Sequence, residues 1–468
     1  MKGKFLVGLL LFLMPVNILF AQEQNELDQH LSYYQYDEDI LPASFHQERR
    51  EALRALMAKN SAAVFFAAPE RKRSNDIYYP YHQDPNFYYL SGIREPKALL
   101  IIYKEKQKFG KEWLDEILLV QDRNPHSELW NGRILGVEGA KALTTFKKVM
   151  RIDEFLDFDP KFKNLNRIFY TPAEGITQGD TTKTDNLWGL IHHFEKKLTE
   201  NNQKDEKHLL MMMAELREVK TEEELTLIRK AIAITCEAQN ELMRQINENM
   251  HEYETQALVE YVFKKNGAEH PAFLTIHGSG ENSTILHYTT NRRPLKNGGL
   301  LVSDIGAEYR GYAADVTRTI PPTGKFTKEQ AEIYNLVLKA QQAGIDAAVI
   351  GSSIVDINKA AQEVIAKGLK NLGIIKSKKE VRKYFMHGTS HYLGLDVHDV
   401  GTYSSLKENN VITVEPGIYI AEGSDCDKKW WNIGVRIEDD ILIAKEGPEI
   451  LSNSSPRSIE AIEKLMAK

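Results

Sequence analysis

The sequence predicts an α/β domain followed by an α+β domain, and three observations support this division. The chain has 468 residues, which is long for one domain and sufficient for two hydrophobic cores. Helical and strand-like apolar patterns alternate in the first part, whereas longer helices and strand runs fill the second. Between them, residues 196–207 are polar and charged without apolar periodicity, as expected of an exposed connection. We place the domains at residues 45–205 and 206–468.

Composition indicates a globular protein, with 42% hydrophobic and 27% charged residues. Sixty Lys and Arg residues against 66 Asp and Glu give a net charge of -6, which argues against nucleic acid as a partner. The only cysteines, Cys236 and Cys426, are too few for a disulfide framework, and whether they form one bridge stays open.

The first 21 residues have the layout of a secretory signal peptide. Lys2 and Lys4 precede an apolar run at residues 5–13, and Ala21 supplies a small residue for cleavage. A membrane anchor is the alternative, but Pro15 interrupts an apolar stretch that falls short of the roughly 20 residues needed to span a bilayer. We therefore expect an exported protein, periplasmic or secreted, without a membrane anchor after removal of residues 1–21.

The N-terminal domain is predicted to follow a polar arm at residues 22–44. Residues 49–58 have helical periodicity, and the apolar runs 62–67 and 98–103 are bounded by turn-forming residues. These patterns predict one helix and two strands at the start of the α/β domain.

The C-terminal domain has two clear helix starts. Thr221 with Glu224, and Thr327 with Gln330, have the spacing of a capping box, in which each side chain accepts from the other residue's free backbone N–H. A further helix is predicted at residues 354–370. Strand-like apolar runs accompany these helices at residues 299–305, 313–320, 411–420 and 435–443.

Two aspartates lie in apolar strand contexts. Asp304 ends the run LLVSDIG, and Asp315 follows in AADVTRT after a turn-like segment. Two antiparallel strands would bring them face to face. Each aspartate alone could cap a turn or form a salt bridge. The pair is more informative, because a buried carboxylate is costly unless it is paired or binds a cation.

Glu415 in VITVEPGIYI and Glu438 in GVRIEDDILI add two carboxylates where a buried strand normally has aliphatic residues. Arg436 lies two residues before Glu438, so on one strand both would share a face, and Arg436 could supply a fixed cation or donor. Four clustered carboxylates repel one another unless a multivalent cation is present. The pattern therefore predicts a metal site.

Histidines could supply a nitrogen ligand to this site. His387, His391 and His398 lie within MHGTSHYLGLDVHDVG, and His287 precedes Asp304 by seventeen residues. The spacing of His387 and His391 imitates a helical zinc motif, but Gly388 replaces the glutamate which that motif requires. We therefore reject a zinc-metalloprotease helix here.

These residues, in this order and context, resemble the metal ligands of the pita-bread dinuclear metallopeptidases. Within that superfamily, HGTSHYLGLDVHDVG, TVEPGIYI and VRIEDDILI are similar to the Xaa-Pro aminopeptidases (aminopeptidase P). YPYHQDPNFYYLSGIREPKALL and ELWNGRILG are similar to the N-terminal domain of the same family. The resemblance extends from about Phe45 to the end of the chain, and its ligand set is Asp304, Asp315, His391, Glu415 and Glu438.

The resemblance implies a pita-bread catalytic domain with two divalent metal ions, usually Mn²⁺. Asp304 would bind the first metal, and His391 and Glu415 the second. Asp315 and Glu438 would bridge the two. One imidazole among four carboxylates is an oxygen-rich set that suits Mn²⁺. A bridging hydroxide, formed because the pKa of the shared water falls towards about 7, would then attack the peptide carbonyl.

The implied reaction releases the N-terminal residue from peptides with proline in second position. His287, His387 and His398 match family histidines that bind substrate and stabilise the tetrahedral intermediate, so they are candidate catalytic residues together with Arg436. Tyr419 is a candidate substrate-binding residue close to Glu415. Proline-containing peptides are the expected partners, and we expect a homo-oligomer.

An Xaa-Pro dipeptidase (prolidase) is the main alternative, because it shares all five ligands. A dipeptidase must recognise a free carboxylate, usually through arginine. Residues 399–414 contain no Arg, which favours the aminopeptidase, although Lys428 and Lys429 keep the alternative open. A methionine aminopeptidase fits less well because its simplest form lacks the large N-terminal domain. A non-catalytic peptide-binding module is disfavoured because every ligand position has the expected residue type.

Overall fold

The computed structural model describes residues 37, 39–171, 179–296 and 298–467. The predicted signal peptide at residues 1–21 and most of the predicted arm at residues 22–44 lie outside this part. The chain divides into two compact units between Met213 and Ala214. This division falls inside a helix, Glu206–Glu218, that begins at the boundary predicted from the sequence. Across the described residues, every helix is too short or too polar to span a membrane.

The N-terminal unit is an α/β domain, as predicted. Its helices are α1 Ala43–Leu56, α2 Pro85–Ser91, α3 Pro125–Asn131, α4 Gly136–Leu143 and α5 Leu187–Lys196. Its strands are β1 Ser61–Phe66, β2 Lys72–Ser74, β3 Ile77–Tyr78, β4 Leu99–Phe109, β5 Glu112–Val120, β6 Val149–Arg151, β7 Arg167–Phe169 and β8 Gln203–Lys204. Six strands form one mixed sheet in the order β6-β5-β4-β1-β7-β8. A core of aliphatic and aromatic side chains, including Ile101, Ile117 and Phe194, packs within this unit.

Helix α1 begins at Ala43, six residues before the predicted start, and ends at Leu56. The polar arm predicted to extend to residue 44 is therefore too long by two residues. The physical reason is that the first turn belongs to the core. Phe45 is buried and contacts the edge of the Tyr89 ring, so its apolar contacts extend the helix towards the N-terminus.

The C-terminal unit contains the long helices and short antiparallel strands expected of an α+β domain. Its helices are α6 Glu206–Glu218, which crosses the division, α7 Glu222–Gln245, α8 Glu252–Lys265, α9 Lys328–Ala347, α10 Ile354–Asn371 and α11 Ile459–Met466. Its first strands are β9 His270–Pro271, β10 Ile276–Ser279, β11 Leu301–Ile305, β12 Ala307–Tyr309, β13 Tyr312–Ala313 and β14 Val316–Ile320. The remaining strands are β15 Val411–Val414, β16 Gly417–Ile420, β17 Ile433–Arg436, β18 Asp439–Ala444 and β19 Gly447–Ile450.

Both predicted capping boxes are present. Thr221 caps α7 and exchanges hydrogen bonds with Glu224, and Thr327 caps α9 with Gln330 in the same way. Helix α10 begins at the predicted residue and ends one residue later than predicted. Each cap satisfies backbone donors that the first helical turn leaves without partners.

Three predicted strands are interrupted at their carboxylates, so the prediction of continuous strands is wrong. Asp315 lies between β13 and β14, Glu415 between β15 and β16, and Glu438 between β17 and β18. Strand β15 pairs with β18, whereas β16 pairs with β17 in a separate sheet. The chain therefore changes sheets at Glu415 and again at Glu438. Pro416, which has no N–H to donate, follows Glu415 at the first change.

Candidate metal centre

Asp304 and Asp315 come from neighbouring antiparallel strands. The register pairs Asp304 in β11 with Thr317 in β14, so Asp315, just before β14, is offset from Asp304 instead of lying directly opposite. Both aspartates are buried. Asp304 Oδ1 and Asp315 Oδ1 are buried oxygens without a hydrogen-bond partner among the described residues. Each has a lone pair available for a cation.

Glu438 is fixed to the same pair of strands. Its backbone N–H donates to the Thr317 carbonyl at 3.1 Å. The Thr317 hydroxyl in turn donates to Glu438 Oε2 at 2.6 Å. Sequence reasoning missed Thr317, although its position two residues after Asp315 places both on one face of an extended segment.

His391 and Glu415 are held by the loop that precedes β15. The Thr413 N–H donates to the His391 carbonyl at 2.9 Å, and the Glu415 N–H donates to the Thr389 carbonyl at 2.8 Å. His391 Nδ1 lies 3.0 Å from the Tyr392 carbonyl. Because a carbonyl can only accept, Nδ1 carries the proton and Nε2 of the neutral ring has a free lone pair. Nε2 is therefore the ligand atom of His391.

This nitrogen points at the carboxylates. His391 Nε2 is 3.5 Å from Asp315 Oδ2 and 3.6 Å from Glu415 Oε1. One ligand atom from each of Asp315, His391 and Glu438 lies within 4.8 Å of the others. The structure thus brings together side chains that are far apart in the sequence.

The electrostatics of the cluster favour a bound cation. Burial raises the pKa of Asp315 well above its ordinary value, and the charges of Asp304, Asp440 and Glu415 raise it further. Burial, followed by Asp315 and Glu415, raises the pKa of Glu438 in the same way. Burial also raises the pKa of Glu415. Several carboxylates that resist ionisation together, with one imidazole nitrogen, form a hard donor set for divalent metal ions.

Arg436 lies against this cluster, where the sequence placed a fixed cation. Its Nη2 donates to Asp304 Oδ2 at 2.6 Å, and its Nη1 donates to the Tyr419 hydroxyl at 2.8 Å. Its Nε donates to the Thr317 hydroxyl at 3.3 Å. Arg436 is only 4% exposed, so these contacts fix its guanidinium group.

The remaining candidate histidines lie beside the carboxylates. His387 Nε2 is 2.9 Å from the Tyr419 hydroxyl, and burial lowers the pKa of His387 to about 4. The His398 ring is 4.4 Å from the His391 ring, edge to face. Burial lowers the pKa of His398. His287 is exposed and lies close enough to His387 and His398 to interact with both electrostatically.

The loop around these histidines is irregular and not helical, in agreement with rejection of the helical zinc motif. Asp440 is a second feature that sequence reasoning missed. It accepts a hydrogen bond from the Asp315 N–H at 3.2 Å. The run Glu438–Asp439–Asp440 inside an apolar segment was the available signal. Both cysteines are free, and the Cys236 thiol donates to the Ser452 carbonyl.

Residues 226–445 match the profile of Metallopeptidase family M24, and residues 46–169 match Aminopeptidase P, N-terminal domain. Over 439 residues the chain is 38% identical to the Xaa-Pro aminopeptidase of Haemophilus influenzae, covering 91% of this chain and 98% of that protein. The chain belongs to the aminopeptidase P branch of metallopeptidase family M24.

Further relatives and solved structures support the same family assignment. The Xaa-Pro aminopeptidase of Escherichia coli is 36% identical, with 90% of this chain and 97% of that protein covered. The solved structure of Escherichia coli aminopeptidase P in its low pH form matches with a TM-score of 0.82 and 34% identity, covering 91% of this chain and 98% of that one. Proline aminopeptidase P II from Yersinia pestis matches with a TM-score of 0.81, at 35% identity and coverage of 91% and 99%. The predicted pita-bread fold and enzyme class are therefore confirmed.

Proposed function

We propose that this member of the family hydrolyses the first peptide bond of substrates with proline in second position. The observation that carries this proposal is the convergence of Asp315, His391 and Glu438, with the His391 Nε2 lone pair directed at the carboxylates. The relatives named Xaa-Pro aminopeptidase, which match nearly the whole chain, support the choice of substrate.

Two divalent metal ions, Mn²⁺ in our proposal, would be held by five side chains. The buried oxygens Asp304 Oδ1 and Asp315 Oδ1, which have no hydrogen-bond partner among the described residues, support this proposal. When bound, such ions lower the pKa of water and polarise a substrate carbonyl. The proposed ligands are Asp304, Asp315, His391, Glu415 and Glu438.

The protein's own residues orient the substrate and hold protons. Arg436 fixes Asp304 and the Tyr419 hydroxyl, so the carboxylate and the phenol keep their positions when a peptide binds. Depression of the His387 pKa keeps this imidazole neutral at pH 7. A neutral imidazole can donate from one nitrogen and accept at the other. His387 Nδ1 lies 2.7 Å from the Gly388 carbonyl and therefore carries the proton, so His387 Nε2 accepts from the Tyr419 hydroxyl at 2.9 Å.

Proline in the substrate offers a distinctive shape for recognition. Its nitrogen has no hydrogen after acylation, and its ring holds φ near about −65°. A site can therefore recognise the proline ring by its shape, since the proline nitrogen has no N–H to donate. We assign His287, His398 and Tyr419 to the substrate side of the carboxylate cluster.

A comparison of peptides tests the proposed function. Xaa-Pro, Xaa-Pro-Pro and Xaa-Ala-Pro are incubated with the Mn²⁺-loaded protein, and products are identified by mass spectrometry. We expect release of Xaa from Xaa-Pro-Pro, with kcat/KM at least comparable to that for Xaa-Pro, and little cleavage of Xaa-Ala-Pro. Glu438→Gln serves as the inactive control. Cleavage of the dipeptide alone would instead identify an Xaa-Pro dipeptidase.

We also propose export of the protein with removal of residues 1–21. The basic start, apolar run and small residue at Ala21 support this. N-terminal sequencing of protein from the cell envelope or medium should begin at Gln22. An intact Met1 on that protein would contradict the proposal.

A further inference from the structure

A short loop connects the candidate metal ligand His391 to the candidate substrate residue His398. The loop is closed by an antiparallel bridge between the neighbouring residues Tyr392 and Asp399. The Asp399 N–H donates to the Tyr392 carbonyl at 2.8 Å. This closure brings the two histidine rings to a centroid separation of 4.4 Å.

Asp399 is an unusual residue for the end of such a loop, because its side chain is only 1% exposed and carries a charge. Lys220 Nζ donates to Asp399 Oδ2 at 2.7 Å, and Arg217 Nη2 donates to Asp399 Oδ1. The side chains of Arg217 and Lys220 are 2% and 1% exposed. Arg217 also donates to Asp396 Oδ2 at 2.8 Å. The loop is thus attached to the end of α6 by buried ionic hydrogen bonds.

The glycine at position 394 leaves space for this attachment. A Cβ atom there would collide with Asp399 Oδ2 and would lie 2.8 Å from Lys220 Nζ. The Gly394 carbonyl also accepts from the Ala313 N–H at 2.8 Å, close to Asp315. The ionic cluster is therefore packed directly behind the loop that carries both histidines.

The end of α6 and the two residues after it also hold the residues that follow the loop. Glu218, which is buried, accepts from the Thr402 N–H at 2.7 Å and from Lys407 Nζ at 2.6 Å. Val219 forms a backbone bridge with Asn410. Residues 217–220 consequently fix the chain on both sides of position 399.

We propose that Asp399 is a positioning residue that holds His398 at the substrate through its buried contacts with Arg217 and Lys220. Asp399 is held in the ionic cluster, while the adjacent His398 is exposed and its ring lies 4.4 Å from the His391 ring. This inference rests on the proposed function, because it assigns His398 a role in binding or transforming the peptide.

Buried ion pairs often give little net stability compared with apolar residues, so stability alone does not account for this arrangement. Fixing an adjacent catalytic side chain does account for it. Residues that orient metal ligands from behind typically contribute about 10- to 100-fold to metal affinity or activity, and we expect Asp399 to act on His398 to a similar extent. The expected effect of disrupting Asp399 is a loss of this size in kcat.

A double-mutant comparison tests the proposal. Asp399→Asn, His398→Ala and the double variant are assayed with Xaa-Pro-Pro at equal Mn²⁺ content. We expect Asp399→Asn to lower kcat about 10- to 100-fold, and to have less than about twofold further effect once His398 is absent. Multiplicative effects of the two substitutions would overturn the proposal. Arg229→Ala, which breaks an exposed ion pair with Glu449, is the control and should leave kcat unchanged.

Histidine ring NMR provides a readout that needs no turnover and therefore separates this proposal from the proposed function. The His398 signal, assigned by its loss in His398→Ala, should shift in Asp399→Asn. The signal of His46, which is buried in the N-terminal unit, should not change. An unchanged His398 signal would refute the positioning role even if the peptides are cleaved. If Asp399→Asn does not fold, Lys220→Met, which keeps Arg217 beside Asp399, is used with the same expected outcomes.

Discussion

Arg436 Nη2 donates to Asp304 Oδ2 at 2.6 Å, while Asp304 Oδ1 has no hydrogen-bond partner among the described residues. The two oxygens of one carboxylate therefore differ: one is fixed by the protein and the other is available to a metal. The same guanidinium group also holds the Tyr419 hydroxyl. Arg436 thus connects a proposed metal ligand with a proposed substrate contact.

We predict that Arg436→Gln lowers kcat/KM by about 10- to 100-fold, because Asp304 and Tyr419 lose their common donor. Arg436→Lys keeps the charge but cannot form the same forked contacts, so it should restore only part of the activity. Steady-state kinetics and Mn²⁺ titration of both variants measure the effect. Full activity in Arg436→Lys would show that charge alone is sufficient.

The raised pKa values of the metal-site carboxyl groups should contribute stability to the metal-free protein that falls as pH rises. Unfolded carboxyl groups have pKa values of about 4, whereas burial and neighbouring charges raise the pKa of Asp315 and Glu438 in the folded state. The folded state therefore retains protons that the unfolded state releases. Stability that is present below about pH 4 is lost as pH rises through the raised values.

Thermal unfolding in EDTA between pH 5 and pH 8 measures this contribution as the difference between the unsubstituted protein and Asp315→Asn, because histidines with lowered pKa values, such as His46 and His387, act in the opposite direction in both proteins. Added Mn²⁺ should remove most of the difference. Asp315→Asn should make the metal-free profile flatter and raise its Tm near pH 7, while abolishing turnover. A metal-free pH profile identical to that of the unsubstituted protein would contradict the electrostatic account.

His391→Ala should lower metal stoichiometry from two ions to one. His391 Nε2 is the imidazole lone pair directed at Asp315 and Glu415, and in our assignment Asp304 still binds the other ion. Elemental analysis after dialysis, with calorimetric titration, measures the loss. Unchanged stoichiometry and affinity would exclude His391 as a ligand.

The sequence predicted the elements whose signals are local. Thr221 and Thr327 cap their helices as expected because a capping box needs only residues three apart. The chemistry of the site was also readable, since carboxylates such as Glu415 and Glu438 are conspicuous in apolar runs.

The contacts behind the site were not predictable in this way. Arg217 and Asp399 are separated by 182 positions in the sequence, and nothing local indicates that they meet. The interruptions at Glu415 and Glu438 were missed because apolar composition continues through each break while the chain changes sheets. The alternation of apolar and polar residues indicates which side chains are buried, but it does not indicate where the chain leaves one partner strand and pairs with another.

Arg318 provides the last prediction, because it holds the backbone of the proposed metal ligand Glu438. It is fully buried, and its Nη1 donates to the Glu438 carbonyl at 2.6 Å. Its Nη2 donates to Asp439 Oδ1 at 2.8 Å. Arg318→Met would remove a cation that balances the negative charge of the buried Asp439, so we expect a loss of about 3–5 kcal/mol in the free energy of unfolding.

Arg229→Met is the matched comparison, because Arg229 and Glu449 form an exposed pair at 2.6 Å, and its loss should cost about 0–1 kcal/mol. Urea unfolding of both variants in EDTA measures the difference without a metal contribution. Mn²⁺ should also bind more weakly to Arg318→Met, since the Glu438 backbone loses a donor that fixes it. If both substitutions lower the free energy of unfolding equally, the buried network must reorganise around Asp439. Arg457 could then replace Arg318, because its Nε already lies 3.4 Å from Asp439 Oδ2.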